Sequence, residues 1–326
     1  MRILAVDDDP FILELLPMFS LQAGFPDMST APSGAAALEV LETSEVPFDC
    51  LLLDINMPEM DGIELCSRVR AMPAYRKTPI IMLTAMKEKD YIDRAFEAGA
   101  TDYASKPIDM AELRAGLRMA QELNVARKSN QPAENENAPQ SPSHQSGTPS
   151  PLSEGVMIEG IKNLVDGRAL ENYLRQLSRA GLGGSQIFAV KIHQIDAIHS
   201  RASAAEFLYA LTEVIDAISN ALGATRHLMS YIGDGNFIIV SNKPNLETSG
   251  ELESEIQNTL DEKNSEYDNG DPLDIEVSIG NPIRPNTSEA QMIEETFKRA
   301  IARAEARVAI RQNEPRPVNI RSPRSL

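Results

Sequence analysis

The sequence predicts a five-stranded, doubly wound parallel α/β sheet followed by a smaller, mixed α+β domain. Three observations predict it. Over 1–126, short apolar runs of strand length alternate with amphipathic runs of helical period. Over 127–155 the chain turns to Pro, Ser, Asn and Gln with almost no large apolar residue, a composition too polar to form a core and suited to a flexible linker. Over 156–312 the element order changes, and 313–326 reads as a short, proline-containing, locally basic disordered tail.

In the first domain Ile3–Asp7 is an apolar strand, and Pro10–Ala23 has helical spacing with proline in its first turn. Met28–Ala31 is a short strand, Gly34–Leu41 a helix, Phe48–Asp54 a strand and Asp61–Ala71 a helix. Pro79–Thr84 carries an unbroken apolar run. Lys87–Ala98 is helical and stops at Gly99, Thr101–Ser105 is a strand, and Asp109 caps a helix reaching Ala126. Near-continuous apolar strands alternating with helices imply a parallel sheet covered on both faces, with its working crevice at the carboxyl ends of the strands.

In the second domain Asn163–Leu177 is helical, Ile187–Ile192 a strand and Ala202–Leu222 a long amphipathic helix. Strands His227–Ile232 and Asn236–Ser241 are joined by a Gly233-Asp234-Gly235 hairpin turn. Leu246–Leu260 is a helix, Leu273–Ile279 a strand and Gln291–Ile310 the last helix. After the leading helix the order βαββαβ predicts a ferredoxin-like, palm-type sheet.

The balance of 48 acidic against 31 basic residues gives a formal net charge of −17, which offers no general attraction for DNA or anionic membrane. No run approaches the ~18 apolar residues of a membrane span, and the N-terminal strand meets charge too soon to be a signal peptide. Cys50 and Cys66 have neither metal-knuckle nor disulfide-framework spacing and read as reduced packing residues. A cytoplasmic protein is expected.

The chemistry-bearing residues fall at strand ends. Asp7, Asp8 and Asp9 end strand one, Asp54 strand three, Thr84 strand four and Lys106 strand five. Carboxylates gathered from two strand ends make a hard oxygen site suited to Mg²⁺. A carboxylate beside such a metal can act as nucleophile toward a phosphoryl group, and an ammonium and a hydroxyl can then hold the transferred oxygens.

These motifs resemble the response-regulator receiver family, whose fold is flavodoxin-like: AVDDDP at 5–10, LLLDINMPEMDG at 51–62, MLTA at 82–85 and DYASKP at 102–107. The resemblance implies Asp54 as phosphoacceptor and Mg²⁺ held by Asp7, Asp8, Asp54 and the backbone carbonyl of Asn56. It further implies Thr84 as switch hydroxyl, Lys106 as phosphate-binding cation and Tyr103 as aromatic switch. The implied partner is a sensor histidine kinase or a phosphotransfer protein.

The second domain resembles a diguanylate cyclase (GGDEF-type) domain in DGRALENYL at 166–174, YIGDGNFIIV at 231–240 and VSIG at 277–280. Its acids are missing. Lys191 and His193 stand where the first strand should supply a carboxylate, and the signature reads Gly233-Asp234-Gly235-Asn236-Phe237, with Asn236 at the glutamate position. A lysine repels the cation that two-metal transfer requires. The turn also resembles that of class III cyclases, which fail here at the same Lys191. The expectation is a phosphorylated signalling switch without cyclase activity, whose degenerate domain binds a partner, a second copy of itself or a guanine nucleotide. The alternative is a phosphorylation-gated nucleotide cyclase.

Overall fold

The computed structural model describes residues 1–85, 88–129, 152–153, 155–156, 158, 161, 163–179, 185–242, 249–284 and 291–313. Most of the expected linker and all of the tail beyond 313 lie outside the described residues.

The first sheet contains β1 (Ile3–Val6), β2 (Met28–Ala31), β3 (Cys50–Asp54), β4 (Ile80–Thr84) and β5 (Asp102–Ser105), all parallel, in the order β2-β1-β3-β4-β5. The central strands β1, β3 and β4 are buried along their whole length, as their unbroken apolar runs require. Edge strand β2, with the sequence MSTA, buries only Ala31. The helices are α1 (Pro10–Ala23), α2 (Gly34–Thr43), α3 (Gly62–Ala71), α4 (Lys89–Glu97) and α5 (Met110–Ser129). The starts of α1, α2 and α3 are fixed by side-chain caps: Asp9 accepts from the Phe11 amide, Ser33 from Ala36, and Asp61 from Glu64 at 2.7 Å. Asp61, expected as the first residue of its helix, is therefore the cap.

The second sheet is four-stranded and antiparallel: β6 (Gln186–Ile192), β7 (His227–Tyr231), β8 (Asn236–Ser241) and β9 (Val277–Ile279), in the order β7-β8-β6-β9. Around it lie α6 (Gly167–Arg179), α7 (Ile195–Arg201), α8 (Ala204–Leu222), α9 (Ser249–Lys263) and α10 (Gln291–Asn313).

Three expectations are corrected. The leading helix begins at Gly167, not Asn163, because residues 163–165 run beside β7: Met229 donates to the Asn163 carbonyl and Val165 to the Met229 carbonyl. The helix expected from Ala202 begins at Ala204, and a short helix that the sequence did not predict, α7, precedes it. Ser203 and Glu206 form a reciprocal capping box that starts α8 afresh after α7. The last strand is three residues rather than seven. Leu273 and Ile275 are buried, but the Gln257 side chain donates to the Ile275 carbonyl and accepts from the Val277 amide where a strand neighbour would.

Apolar side chains cover both faces of the parallel sheet, and one of these cores continues through Phe96 and Tyr103 into Leu170, Tyr173 and Leu174 of α6. A separate core fills the space between the antiparallel sheet, α8 and α9. Cys50 and Cys66 are free and buried, and burial pushes their thiols up to about 12 and about 11. No helix among the described residues is long and apolar enough to cross a membrane.

Candidate functional site: an acidic crevice and the face behind it

The carboxyl ends of β1 and β3 bring Asp7, Asp8 and Asp54 together, with one carboxylate oxygen from each lying within 4.8 Å of the others. Asp7 is fully buried and Asp54 is 3% exposed. The Lys106 ammonium, reaching in from the end of β5, lies 2.7 Å from Asp7 Oδ2 and 2.6 Å from Asp54 Oδ1. The Lys106 amide donates to the Thr84 carbonyl, which fixes the loop after β5, and the Lys106–Pro107 bond is cis.

Gly62 makes this geometry possible. A Cβ on it would stand 2.1 Å from the Asp54 carbonyl oxygen, so the chain after β3 can turn back against the acceptor residue only without a side chain there.

Burial raises the Asp54 pKa above the ordinary carboxylate value. Lys106 opposes this by hydrogen bond and charge, and Asp7 and Asp8 add to it. Burial works to lower the Lys106 pKa, but the two carboxylates outweigh it and hold the ammonium above its ordinary value. Three carboxylates against one ammonium leave an excess of negative charge in a small space. Hard oxygen donors in that arrangement fit Mg²⁺; the same charge opposes an approaching phosphoryl group unless a cation offsets it.

A stability prediction follows from the raised Asp54 pKa. Because the folded value exceeds the unfolded one, stability associated with protonated Asp54 is present at acidic pH and is lost as pH rises through the folded value. Asp54→Asn in metal-free buffer at neutral pH is therefore expected to raise Tm. Unchanged or lower Tm in a thermal melt would contradict this reading of the crevice.

Thr84 and Tyr103 are both buried, at 1% and 3% exposure. The Tyr103 hydroxyl hydrogen-bonds the Thr84 side chain, so its ring points inward; burial pushes the phenol up to about 12. Asn56 is exposed in the loop after β3.

Behind this crevice, α6 packs on the face formed by α4 and β5. Asn172 Nδ2 donates to the Thr101 carbonyl at 3.0 Å, and Gln176 Nε2 to the Tyr103 carbonyl at 2.7 Å. These are alternate carbonyls along the outer edge of the last strand. The fit is metric: four residues of helix rise ~6 Å and two residues of strand span ~6.6 Å, so amides one turn apart meet alternate edge carbonyls. Beside them Asp93, buried on α4, accepts from Tyr173 Oη at 2.7 Å and Asn242 Nδ2 at 3.1 Å, with Lys89 Nζ at 3.3 Å. Tyr173 also meets Phe96 edge-on, with ring centroids 5.4 Å apart. Arg226 pairs with Asp90 and lies 4.0 Å from both Asp93 and Glu97. Sequence reasoning missed this cluster. Its one visible signal is Asp93 itself, an acid within the buried stripe Ile92, Ala95 and Phe96 of α4.

In the second sheet, the Lys191 ammonium is 2.5 Å from the Asp234 carbonyl oxygen. Asn236 directs its amide to the carbonyls of Gly233 and Asp234, and its buried Oδ1 has no partner among the described residues. Gly233, Asp234 and Gly235 all have positive φ, which is how the tight turn closes. Phe237 is fully buried against Tyr231, with centroids 5.0 Å apart. His193 lies just after β6, with Nε2 2.8 Å from Ser278 Oγ and Nδ1 3.4 Å from a Glu276 oxygen. Ser278 is wholly buried, whereas the Glu276 side chain is exposed.

The five-stranded order and the acid–lysine crevice define the class of a receiver. The response regulator receiver domain profile matches residues 3–118, and the chain belongs to that family. It is 40% identical over 126 residues to an uncharacterized 14.6 kDa protein of Leptolyngbya boryana, covering 39% of this chain and 92% of that one. It is 39% identical over 128 residues to the transcriptional regulatory protein SrrA of Staphylococcus aureus, covering 38% of this chain and 51% of SrrA. Against the signal transduction histidine-protein kinase BarA of Escherichia coli it is 35% identical over 113 residues, spanning 35% of this chain and only 12% of BarA. Among solved structures, Vibrio cholerae chemotaxis protein CheY4 is similar at 32% identity, covering 37% of this chain and 97% of that one, with a TM-score of 0.34.

Proposed function

We propose that this protein is a two-component response regulator phosphorylated on Asp54 by a histidine kinase or a phosphotransfer protein. The observation that carries the reading is the placement of Lys106 between the buried carboxylates of Asp7 and Asp54. Asp7, Asp8, Asp54 and the Asn56 carbonyl would hold Mg²⁺, which supplies charge neutralisation for the incoming phosphoryl oxygens. Asp54 attacks the phosphorus, the donor's nitrogen or oxygen leaves with its bonding pair, and Lys106 and the Thr84 hydroxyl bind the transferred oxygens.

The signal would leave through Tyr103 and α4. The Tyr103 ring touches Thr84, its carbonyl holds Gln176, and Asp93 on α4 holds Tyr173 and Asn242. A shift of this face on phosphorylation changes the seating of α6, and the second domain then alters its partner, its dimer state or its hold on a guanine nucleotide.

The second domain is, on this reading, a degenerate GGDEF-like module of the ferredoxin-like, palm class. The strand order β7-β8-β6-β9 and the hairpin position support that class. Lys191 lies against the turn that would need to hold metal, which supports an output that binds rather than cyclises nucleotide.

Incubation with acetyl phosphate and Mg²⁺ is expected to add one phosphoryl group to the wild type and none to Asp54→Asn, read by intact mass. Incubation with GTP or ATP and Mg²⁺ or Mn²⁺ is expected to give no cyclic product above that of Asp234→Ala. Equal phosphoryl uptake by Asp54→Asn would overturn the first reading, and an Asp234-dependent cyclic product the second.

A further inference from the structure

A cleft of about 930 Å³ lies between the first domain and the approach to α6, away from the acidic crevice. Its first wall carries Arg70, Arg76, Lys77, Arg94 and Arg127, with Glu97 the one acid. The opposite wall is largely apolar, built from Ile158, Ile161, Leu164 and Ala169, with Asp166 at the start of α6. Among the described residues of the lining, five cations stand against two acids, in a chain of net charge −17.

Arg94 of this wall pairs with Asp61 at 3.7 Å. Arg70 spends its donors on the carbonyls of Tyr75, Thr78 and Gly99, at 2.7 to 2.9 Å. Arg127 donates to the Lys77 carbonyl. Among the described residues, neither arginine nor Lys77 forms an ion pair with a carboxylate. Burial lowers the Arg70 pKa, and at Arg127 the nearby Asp166 offsets part of the same effect. The dimensions and the mixed lining are those of a small-molecule site, and such sites favour the junction of two domains.

We propose that this cleft binds an organic polyphosphate of nucleotide size, its phosphates against Lys77, Arg127 and Arg70 and its apolar body against Ile158, Ile161 and Leu164. Because the cations belong to the first domain and the apolar wall to the segment leading into α6, the ligand bridges the two. It therefore favours the docked arrangement of α6 on α4 and β5. The site is independent of the phosphoacceptor and of the degenerate hairpin.

The test is calorimetric titration of the full chain with GTP, ATP and inorganic pyrophosphate in magnesium-free buffer. Saturable binding of the nucleotides is expected, with weaker binding of pyrophosphate. Lys77→Glu, at an exposed position, is expected to weaken nucleotide binding at least tenfold, as is Arg127→Ala. Lys191→Ala is expected to leave binding unchanged. Absence of saturable binding by any probe overturns the proposal. So does binding that survives Lys77→Glu but is lost in Lys191→Ala, which would place the nucleotide at the hairpin. Pyrophosphate binding as tight as that of the nucleotides would remove the apolar wall from the site and overturn its size assignment.

Discussion

Gly62→Ala is expected to destabilise the first domain by about 3 kcal/mol, the range of forced overpacking in a rigid surround. The added methyl would lie 2.1 Å from the Asp54 carbonyl oxygen and 2.8 Å from its carbon, both backbone atoms of a central, fully buried strand. Neither can withdraw without disturbing the β3–β4 pairing that continues to Leu83. The Gly62 amide also donates to the Ile55 carbonyl at 3.0 Å, so relaxing the contact loosens the turn that aims the Asp54 side chain. Urea denaturation should show the lower midpoint, and phosphoryl uptake at temperatures where the variant stays folded should be slower. A loss under about 0.5 kcal/mol, the level of an ordinary surface change, would mean the turn is free to move.

Tyr173→Ala is expected to cost about 3–5 kcal/mol, the usual range for emptying a buried aromatic site. The ring is 1% exposed, packs edge-on to Phe96 and donates its hydroxyl to Asp93. Tyr173→Phe keeps the packing and removes only the hydroxyl, so a smaller loss of about 1–3 kcal/mol is expected for the polar group left behind. A double-mutant cycle of Tyr173→Phe with Asp93→Asn separates the pair from the packing. Because these contacts join α6 to α4, the variants should also increase the radius of gyration in small-angle scattering. An unchanged radius in Tyr173→Ala would show that α6 stays seated without them.

The first domain was readable in the sequence because its strands are covered on both faces. Runs such as Cys50–Leu53 and Ile80–Leu83 admit few readings when turn signals bound them and acids follow. The crevice was readable for the same reason: in a parallel sheet all the strand ends that carry Asp7, Asp54, Thr84 and Lys106 point one way. The parts that misled are those where a side chain replaces a backbone partner. Gln257 bonds the Ile275 carbonyl and the Val277 amide with its side chain, so the alternation of residues 273–276 predicted a longer strand than the three residues that pair with β6. The Ser203–Glu206 capping box is visible as Ser-x-x-Glu, which puts the helix start at Ala204, whereas the apolar Ala202 extends the periodic run two residues too far. The seating of α6 could not be read, since the carbonyls of Thr101 and Tyr103 carry no residue signature and only the fold exposes them along a sheet edge.

Borohydride reduction is the most direct check on the reactive carboxylate. Hydride converts an aspartyl phosphate to homoserine and leaves free aspartate untouched. After treatment of the full chain with acetyl phosphate and Mg²⁺, peptide mass analysis should find homoserine at position 54 alone. Homoserine at another aspartate, or at none while the protein remains folded and magnesium-loaded, would contradict the account.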